Sequence, residues 1–138
     1  MLRRPVRILV TGSRTWTDKG AIAQTISNYL NSVGTSIGGA WPLPIVVHGG
    51  ARGADQLANA IARGWGWTPE RHPADWARYG RTAGYHRNAH MVALGADICL
   101  AFILDGSAGA SHTAELAEAA GIPTRRYHRT SSHIAYEQ

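Results

Sequence analysis

The chain holds a single cysteine, Cys99, a single lysine, Lys19, and no apolar run longer than a strand. One cysteine cannot form a disulfide within the chain. Cys99 lies in an apolar run and is expected as a small core residue in a protein of the reducing cytoplasm. No stretch approaches the roughly 20 apolar residues that a bilayer-spanning helix needs. Met1, Leu2, Arg3, Arg4 and Pro5 run straight into a strand with no separate apolar segment, so neither a signal peptide nor a membrane anchor is expected. The shortage of lysine leaves thirteen of the fourteen basic side chains as arginine, and the net charge is +5. Arginine is the better fork for phosphate and carboxylate, so the bias permits anion binding, although a GC-rich genome gives the same bias. The charge also permits nucleic-acid binding, but apart from Arg125 and Arg126 the arginines are scattered along the chain and gather on no one predicted helix.

At 138 residues the chain is the size of one domain. A hydrophobic content of 44% and a charged content of 17% exclude wholesale disorder. The β-rich run 6–12 predicts a first strand. Asp18 can cap a helix in which Ile22, Ile26, Tyr29 and Leu30 recur at helical spacing. Glycines and prolines make 34–44 a loop, 45–48 a second strand and 54–63 a second helix. Segment 68–72 is a weak edge strand, and 82–94 is a helix with Gly95 as its C-terminal cap. The continuous apolar run 96–104 predicts a strand covered on both faces, at the centre of a parallel sheet. A glycine turn at 106–109, a helix over 111–120 and a strand over 122–127 complete the pattern. One domain over 1–127 and a polar, frayed tail over 128–138 are therefore expected. The alternation predicts an α/β, doubly wound, mostly parallel sheet of about five strands with helices on both faces. Ligands of such sheets bind outside the carboxyl ends of the strands, where the strand order reverses.

Three glycine-bearing turns follow predicted strands: Thr11-Gly12-Ser13-Arg14, His48-Gly49-Gly50-Ala51-Arg52-Gly53 and Asp105-Gly106-Ser107-Ala108-Gly109. Glycine lets an anion approach the backbone, and the following helix offers free N–H groups and a partial positive charge. The turns predict an anion-binding rim in which Gly12, Ser13, Gly49, Gly50, Gly106 and Gly109 present amides, with Gly53 and Ser107 beside them. Arg14 and Arg52 supply charge within two of the turns. Neither the P-loop pattern nor G-x-G-x-x-G is present, which disfavours P-loop NTPases and ordinary dinucleotide dehydrogenases.

Asp55 and Glu115 lie in the first turns of their predicted helices, where a carboxylate either complements the dipole or, for Asp55, binds ribose hydroxyls. Trp16 and Trp76 stand in predicted loops, and Trp16, beside Gly12, Ser13 and Arg14, is the better candidate for stacking on a base. Trp65 and Trp67 are expected in packing. The G-x-S-x-G of Gly34 to Gly38 lacks the strand and helix of a nucleophile elbow. His86 and His90 have zinc-like spacing, but Arg87 follows His86 and a cation there opposes a metal, so no metal site and no cofactor is expected.

Taken in order, Val10-Thr11-Gly12-Ser13-Arg14, His48 to Asp55, Gly84-Tyr85-His86-Arg87-Asn88 with Met91, and Gly106-Ser107-Ala108-Gly109 resemble the YspA-like branch of the SLOG superfamily. That superfamily includes the Lonely Guy cytokinin-activating hydrolases and the DNA-processing protein DprA. The resemblance covers about 6–123 and implies a Rossmann-like fold that binds nucleotides or nucleotide-derived signals. It also implies a homodimer or larger homo-oligomer paired through helices, and a source among actinobacteria or their phages. Lonely Guy enzymes cleave the N-glycosidic bond of nucleoside 5′-monophosphates with an arginine on a helix and a glutamate after P-G-G-x-G-T. Arg87 matches the arginine, with Asn88 beside it. Asp105, Ser107 and Ala110 depart from the second motif, Thr113 takes the glutamate's position, and Glu115 stands two residues later. Two helical residues turn a side chain by about 200°.

Three functions follow for test. The first is a sensor or sequestering protein for a nucleotide such as an ADP-ribose derivative or a nucleoside monophosphate. The second is an N-glycosidase using Arg87 with Glu115, Asp55 or Asp105 as a relocated acid. The third is single-stranded DNA binding, which needs a basic groove with exposed aromatics.

Overall fold

The computed structural model describes residues 3–131. Among them β1 (Arg7–Gly12), β2 (Ile45–His48), β3 (Glu70–Arg71), β4 (Ile98–Leu104) and β5 (Thr124–Arg129) form one sheet in the order β3-β2-β1-β4-β5. Every pairing is parallel. The helices are α1 (Lys19–Ser32), α2 (Ala54–Gly64), α3 (Trp76–Tyr79), α4 (Ala83–Leu94) and α5 (Ala108–Ala119), with a 3-10 turn (Gly80–Thr82) leading into α4. This is the Rossmann-like α/β architecture that the alternation predicts.

Side chains of a strand alternate between faces, and that parity sorts the helices. Ile8 and Val10 of β1 join Val46, Ile98, Leu100 and Phe102 beneath Ile22, Ile26 and Leu30 of α1 and Ala54, Ala58 and Ile61 of α2. Leu9, Val47 and Cys99 face the other way, against Met91 and Val92 of α4 and Ala117 of α5. Every residue of β4 is buried, as its unbroken apolar run requires. Asp18 caps α1 by accepting from the Ala21 amide at 3.0 Å, and Gly95, at φ +87°, ends α4. Burial pushes the Cys99 thiol up to about 12, in keeping with a core residue.

Four boundaries differ from the sequence pattern, each for a local reason. Helix α5 starts at Ala108, so Gly109 belongs to its first turn and the connecting turn is shorter than expected. The four-residue α3, capped by Asp75, is too short to leave a periodic trace. The third strand shrinks to two residues at the sheet edge. The last strand runs on to Arg129, which pairs with Leu104 and accepts from the Asp105 amide at 2.9 Å. His128 and Arg129 are thus strand, not tail; residues 132–138 of the predicted tail lie outside the described residues. No helix among the described residues is long and apolar enough to cross a membrane.

The chain leaves β1 for α1 on one face and leaves β4 for α5 on the other. The loops after these neighbouring strands therefore part, opening a crevice at the carboxyl ends of β1 and β4.

Candidate functional site

The crevice is a cleft of about 360 Å³. One wall is the end of β1 and the loop after it, from Thr11 to Thr15, and the other is Leu104 at the end of β4 with Ser107, Gly109 and Ala110 leading into α5. Ala51 and Asp55 from the loop after β2 and the start of α2, and Arg87, Asn88 and Met91 of α4, complete the lining. No side chain caps α5, so the amides of its first turn are without intrahelical partners. They give the cleft a positive edge opposite the exposed Arg14.

Three of the six amides assigned to a phosphate rim by the sequence, those of Ser13, Gly49 and Gly50, have other work. The Ser13 amide donates to the Phe102 carbonyl at 2.9 Å, and Ser13 Oγ accepts from the Leu104 amide at 2.8 Å. Ser13 therefore locks the two loops together across the crevice. Its amide is not offered to a ligand. Asp55 Oδ2 accepts from the Gly49 amide at 3.0 Å and from the Ala51 amide at 3.2 Å. The Gly50 amide donates to His48 Nδ1 at 3.0 Å, which leaves His48 Nε2 to donate to Asn59 at 2.8 Å. Gly49, Gly50 and Ala51 thus spend their N–H groups on the side chains of His48 and Asp55. Gly12 is a packing residue as well: a Cβ there would sit 2.7 Å from the Phe102 carbonyl and overlap Ala54, so its absence lets α2 lie on β1. Of the predicted rim, Arg14 and the uncapped start of α5 are what line the cleft without such internal hydrogen bonds.

Asp55 is buried, and burial pushes its carboxyl up to about 6, against the opposing pull of the Ala51 and Gly49 amides, Arg87 and Arg14. Arg87 is held at both ends. Its Nη1 donates to the Gly49 carbonyl at 2.6 Å and its Nε to Asn88 Oδ1 at 2.8 Å. Burial pulls the guanidinium down from its ordinary value while the Asp55 charge supports it. The buried Asn88 lies 3.3 Å, through Nδ2, from Nδ1 of His112 on α5. His112 in turn meets Tyr85 edge-on at 4.6 Å.

A second cleft of about 420 Å³ adjoins the first, the two sharing Arg14, Ala51 and Arg87. Gly49, Gly50 and Arg52 line this outer cleft and not the inner one, together with Arg71 and Trp76. Gly53 and Gly106 line neither cleft. Gly53, at φ +76°, packs so closely on the backbone that a Cβ would lie 2.6 Å from the Arg14 carbonyl oxygen.

Two sequence assignments need correction. Trp16 is buried at 3% exposure, donates its indole N–H to the Asp18 carbonyl at 3.0 Å and packs edge-on to Phe102 at 5.4 Å. It is a core residue and has no face to offer a base. Glu115 is exposed on α5 and lines neither cleft, whereas Thr113 is buried with no hydrogen-bond partner for its Oγ1 among the described residues. The 200° turn between the two positions explains the difference. Asp105, the other relocated acid, accepts from the Ser131 amide at 2.9 Å, and hydrogen bonding to Ser131 lowers its pKa. His86 stacks on Tyr79 at 3.9 Å and His90 meets His72 at 5.4 Å. No group of three or more metal-ligating side chains is present among the described residues. Sequence reasoning missed Arg71 and His112, which lie far along the chain from the Gly50 and Asn88 they approach.

The YAcAr family, described as the YspA, cpYpsA-related SLOG family, matches residues 6–79. The chain is also 43% identical over 122 residues to the Gene 61 protein of Mycobacterium phage D29, covering 85% of this chain and 92% of that one. The chain belongs to the YspA-related SLOG family. Membership points to the binding or processing of a nucleotide-related molecule, and the phage relative agrees with the kind of source that the resemblance implies. No solved structure matches the chain. The family match covers β1 through α3; the α4 and α5 walls, with Arg87 and Gly109, lie beyond it.

Proposed function

We propose that the chain binds a nucleotide or nucleotide-derived ligand, of the nucleoside monophosphate or ADP-ribose kind, and serves as a sensor or sequestering protein. One observation carries this reading: Arg14, Arg87, the carboxylate of Asp55 and the uncapped start of α5 meet in a single cleft. A phosphate sits against the Gly109 and Ala110 amides with Arg14 opposite. Asp55 uses Oδ2 for the loop amides, so Oδ1 is left to accept from ribose hydroxyls. Binding without turnover is favoured because Thr113 fills the glutamate's position and Glu115 lies outside the cleft.

The test is thermal shift against mononucleotides, NAD, ADP-ribose and cyclic ADP-ribose. A ligand at about 100 times its Kd adds roughly 2.7 kcal/mol, a shift of several degrees for a domain of this size. A selective shift that Arg14→Gln removes supports the reading. No shift with any compound of the panel defeats it.

A second reading, N-glycosidase action, draws on Asp55 alone. A carboxyl raised to about 6 can hold a proton near neutral pH and deliver it to a departing base. Release of free base from a bound nucleotide, abolished by Asp55→Asn, would establish turnover; a bound nucleotide recovered intact supports the sensor.

A further inference from the structure

The outer cleft has a composition that the inner one does not explain. Arg14, Arg52, Arg71 and Arg87 all line it, and none of the four is in an ion pair among the described residues. By contrast Arg4, Arg7, Arg126 and Arg129 each have a carboxylate partner. Asp55 is the acidic residue that acts on Arg87, and its Oδ2 is occupied by loop amides. Four guanidinium groups thus share one cleft with a single nearby carboxylate, and Arg14 opposes the charge of Arg87, so the excess of positive charge favours a polyanion.

The floor of this cleft is built for guanidinium groups. A Cβ on Gly49 would fall on the guanidinium of Arg87, 2.7 Å from Cζ, and one on Gly50 would fall on that of Arg71, 3.2 Å from Cζ. The consecutive glycines therefore seat two arginines side by side, one from α4 and one from β3. Trp76 lines the same cleft, 54% exposed although its ring is large and apolar. An indole beside arginines offers a flat stacking face next to a phosphate site.

We infer that the outer cleft binds a second phosphoryl group of the ligand, with an adjoining planar ring laid on Trp76, so that the natural ligand is a small molecule carrying two phosphoryl groups. This rests on the nucleotide reading of the inner cleft and adds the class of nucleotide. Arg14 and Arg87, common to both clefts, lie where the two halves of such a ligand join. A nucleoside 5′-monophosphate fills only the inner half and leaves Arg52 and Arg71 unanswered.

Calorimetric titration with matched ligands tests this: the four common nucleoside 5′-monophosphates, their 3′,5′-bisphosphates, and pyrophosphate-linked dinucleotides of the same bases. A two-phosphate ligand is expected to bind at least about tenfold tighter than its matched monophosphate, the gain of one charge-assisted contact. Arg71→Gln and Trp76→Ala each remove most of that advantage while leaving monophosphate affinity within about twofold. Both side chains are exposed, and circular dichroism of each variant checks the fold. Equal affinity for the matched ligands, or an advantage that survives both variants, overturns the outer site and leaves the nucleotide reading standing. Failure of every ligand defeats both. Affinity for oligothymidylate that rises with its length overturns the small-molecule assignment in favour of a nucleic-acid track.

Discussion

Arg87 Nη1 donates to the Gly49 carbonyl at 2.6 Å, and the bare Cα of Gly49 leaves room for that guanidinium. Gly49→Ala therefore displaces the end of a flexible side chain and no backbone. Its cost in stability is expected below about 1 kcal/mol, while ligand affinity falls by about tenfold or more. Gly53→Ala behaves oppositely, because φ is +76° and a Cβ meets the Arg14 backbone. A loss of about 2–4 kcal/mol is expected from strain and overpacking together. Urea denaturation beside calorimetry separates the two effects; equal stability losses for both variants would count against this account.

Ser13 and Leu104 form the other fixed pair. Ser13→Ala removes the acceptor of the Leu104 amide and leaves that buried group without a partner. A loss of about 1–3 kcal/mol is expected by chemical denaturation. Ser13→Thr, which keeps the hydroxyl, tests whether the site tolerates an added methyl.

Asp55 sets a pH dependence with a definite sign. Its folded-state carboxyl lies at about 6 against a reference of 3.8, so the native state holds the proton more tightly than the unfolded chain. Stability should therefore fall as pH rises between these values, by an amount on the order of 1–3 kcal/mol. Asp55→Asn keeps an acceptor for the loop amides and loses the charge. The slope between pH 4 and 6 is expected to flatten, with stability at pH 7 equal to or above the parent; an unchanged slope in equilibrium unfolding would refute the assignment.

Glu70 works in the reverse direction. Its pairing with Arg7 at 2.8 Å, joined by His72, holds its carboxyl at about 2 against a reference of 4.5. This contribution is present above pH 4.5 and is lost as pH falls through about 2. The groups are partly exposed, so Glu70→Gln is expected to cost only about 1 kcal/mol at pH 7. The gap between variant and parent should narrow steadily below pH 4.5, as read by denaturation at a series of pH values.

The fold was legible because its signals are local or cumulative. The apolar run of β4, the spacing of Ile22, Ile26 and Leu30, and Gly95 at the end of α4 each act within a few residues. The existence of a crevice lined by Arg14, Asp55, Arg87 and Gly109 was legible too, since glycine turns after parallel strands converge on one sheet edge. What each group does there was not. Whether an amide is free depends on partners far along the chain, as with Ser13 and Phe102. Trp16 looked available because a loop residue's burial is decided by what folds over it, here β5 and Phe102. Arg71 carried no signal at all until β3 came to lie beside β2.

The bridge between Ser13 and Leu104 joins residues 91 positions apart. On the ribosome, the first wall of the crevice is made long before the second, and closing so long a loop is slow and entropically costly. A chain interrupted after α3 carries Arg14 and Asp55 with nothing opposite them. A molecule held between Arg14 and the start of α5 ties the earliest-made part of the protein to one of the latest. Its abundance would then govern how long a finished copy endures as well as whether it is occupied.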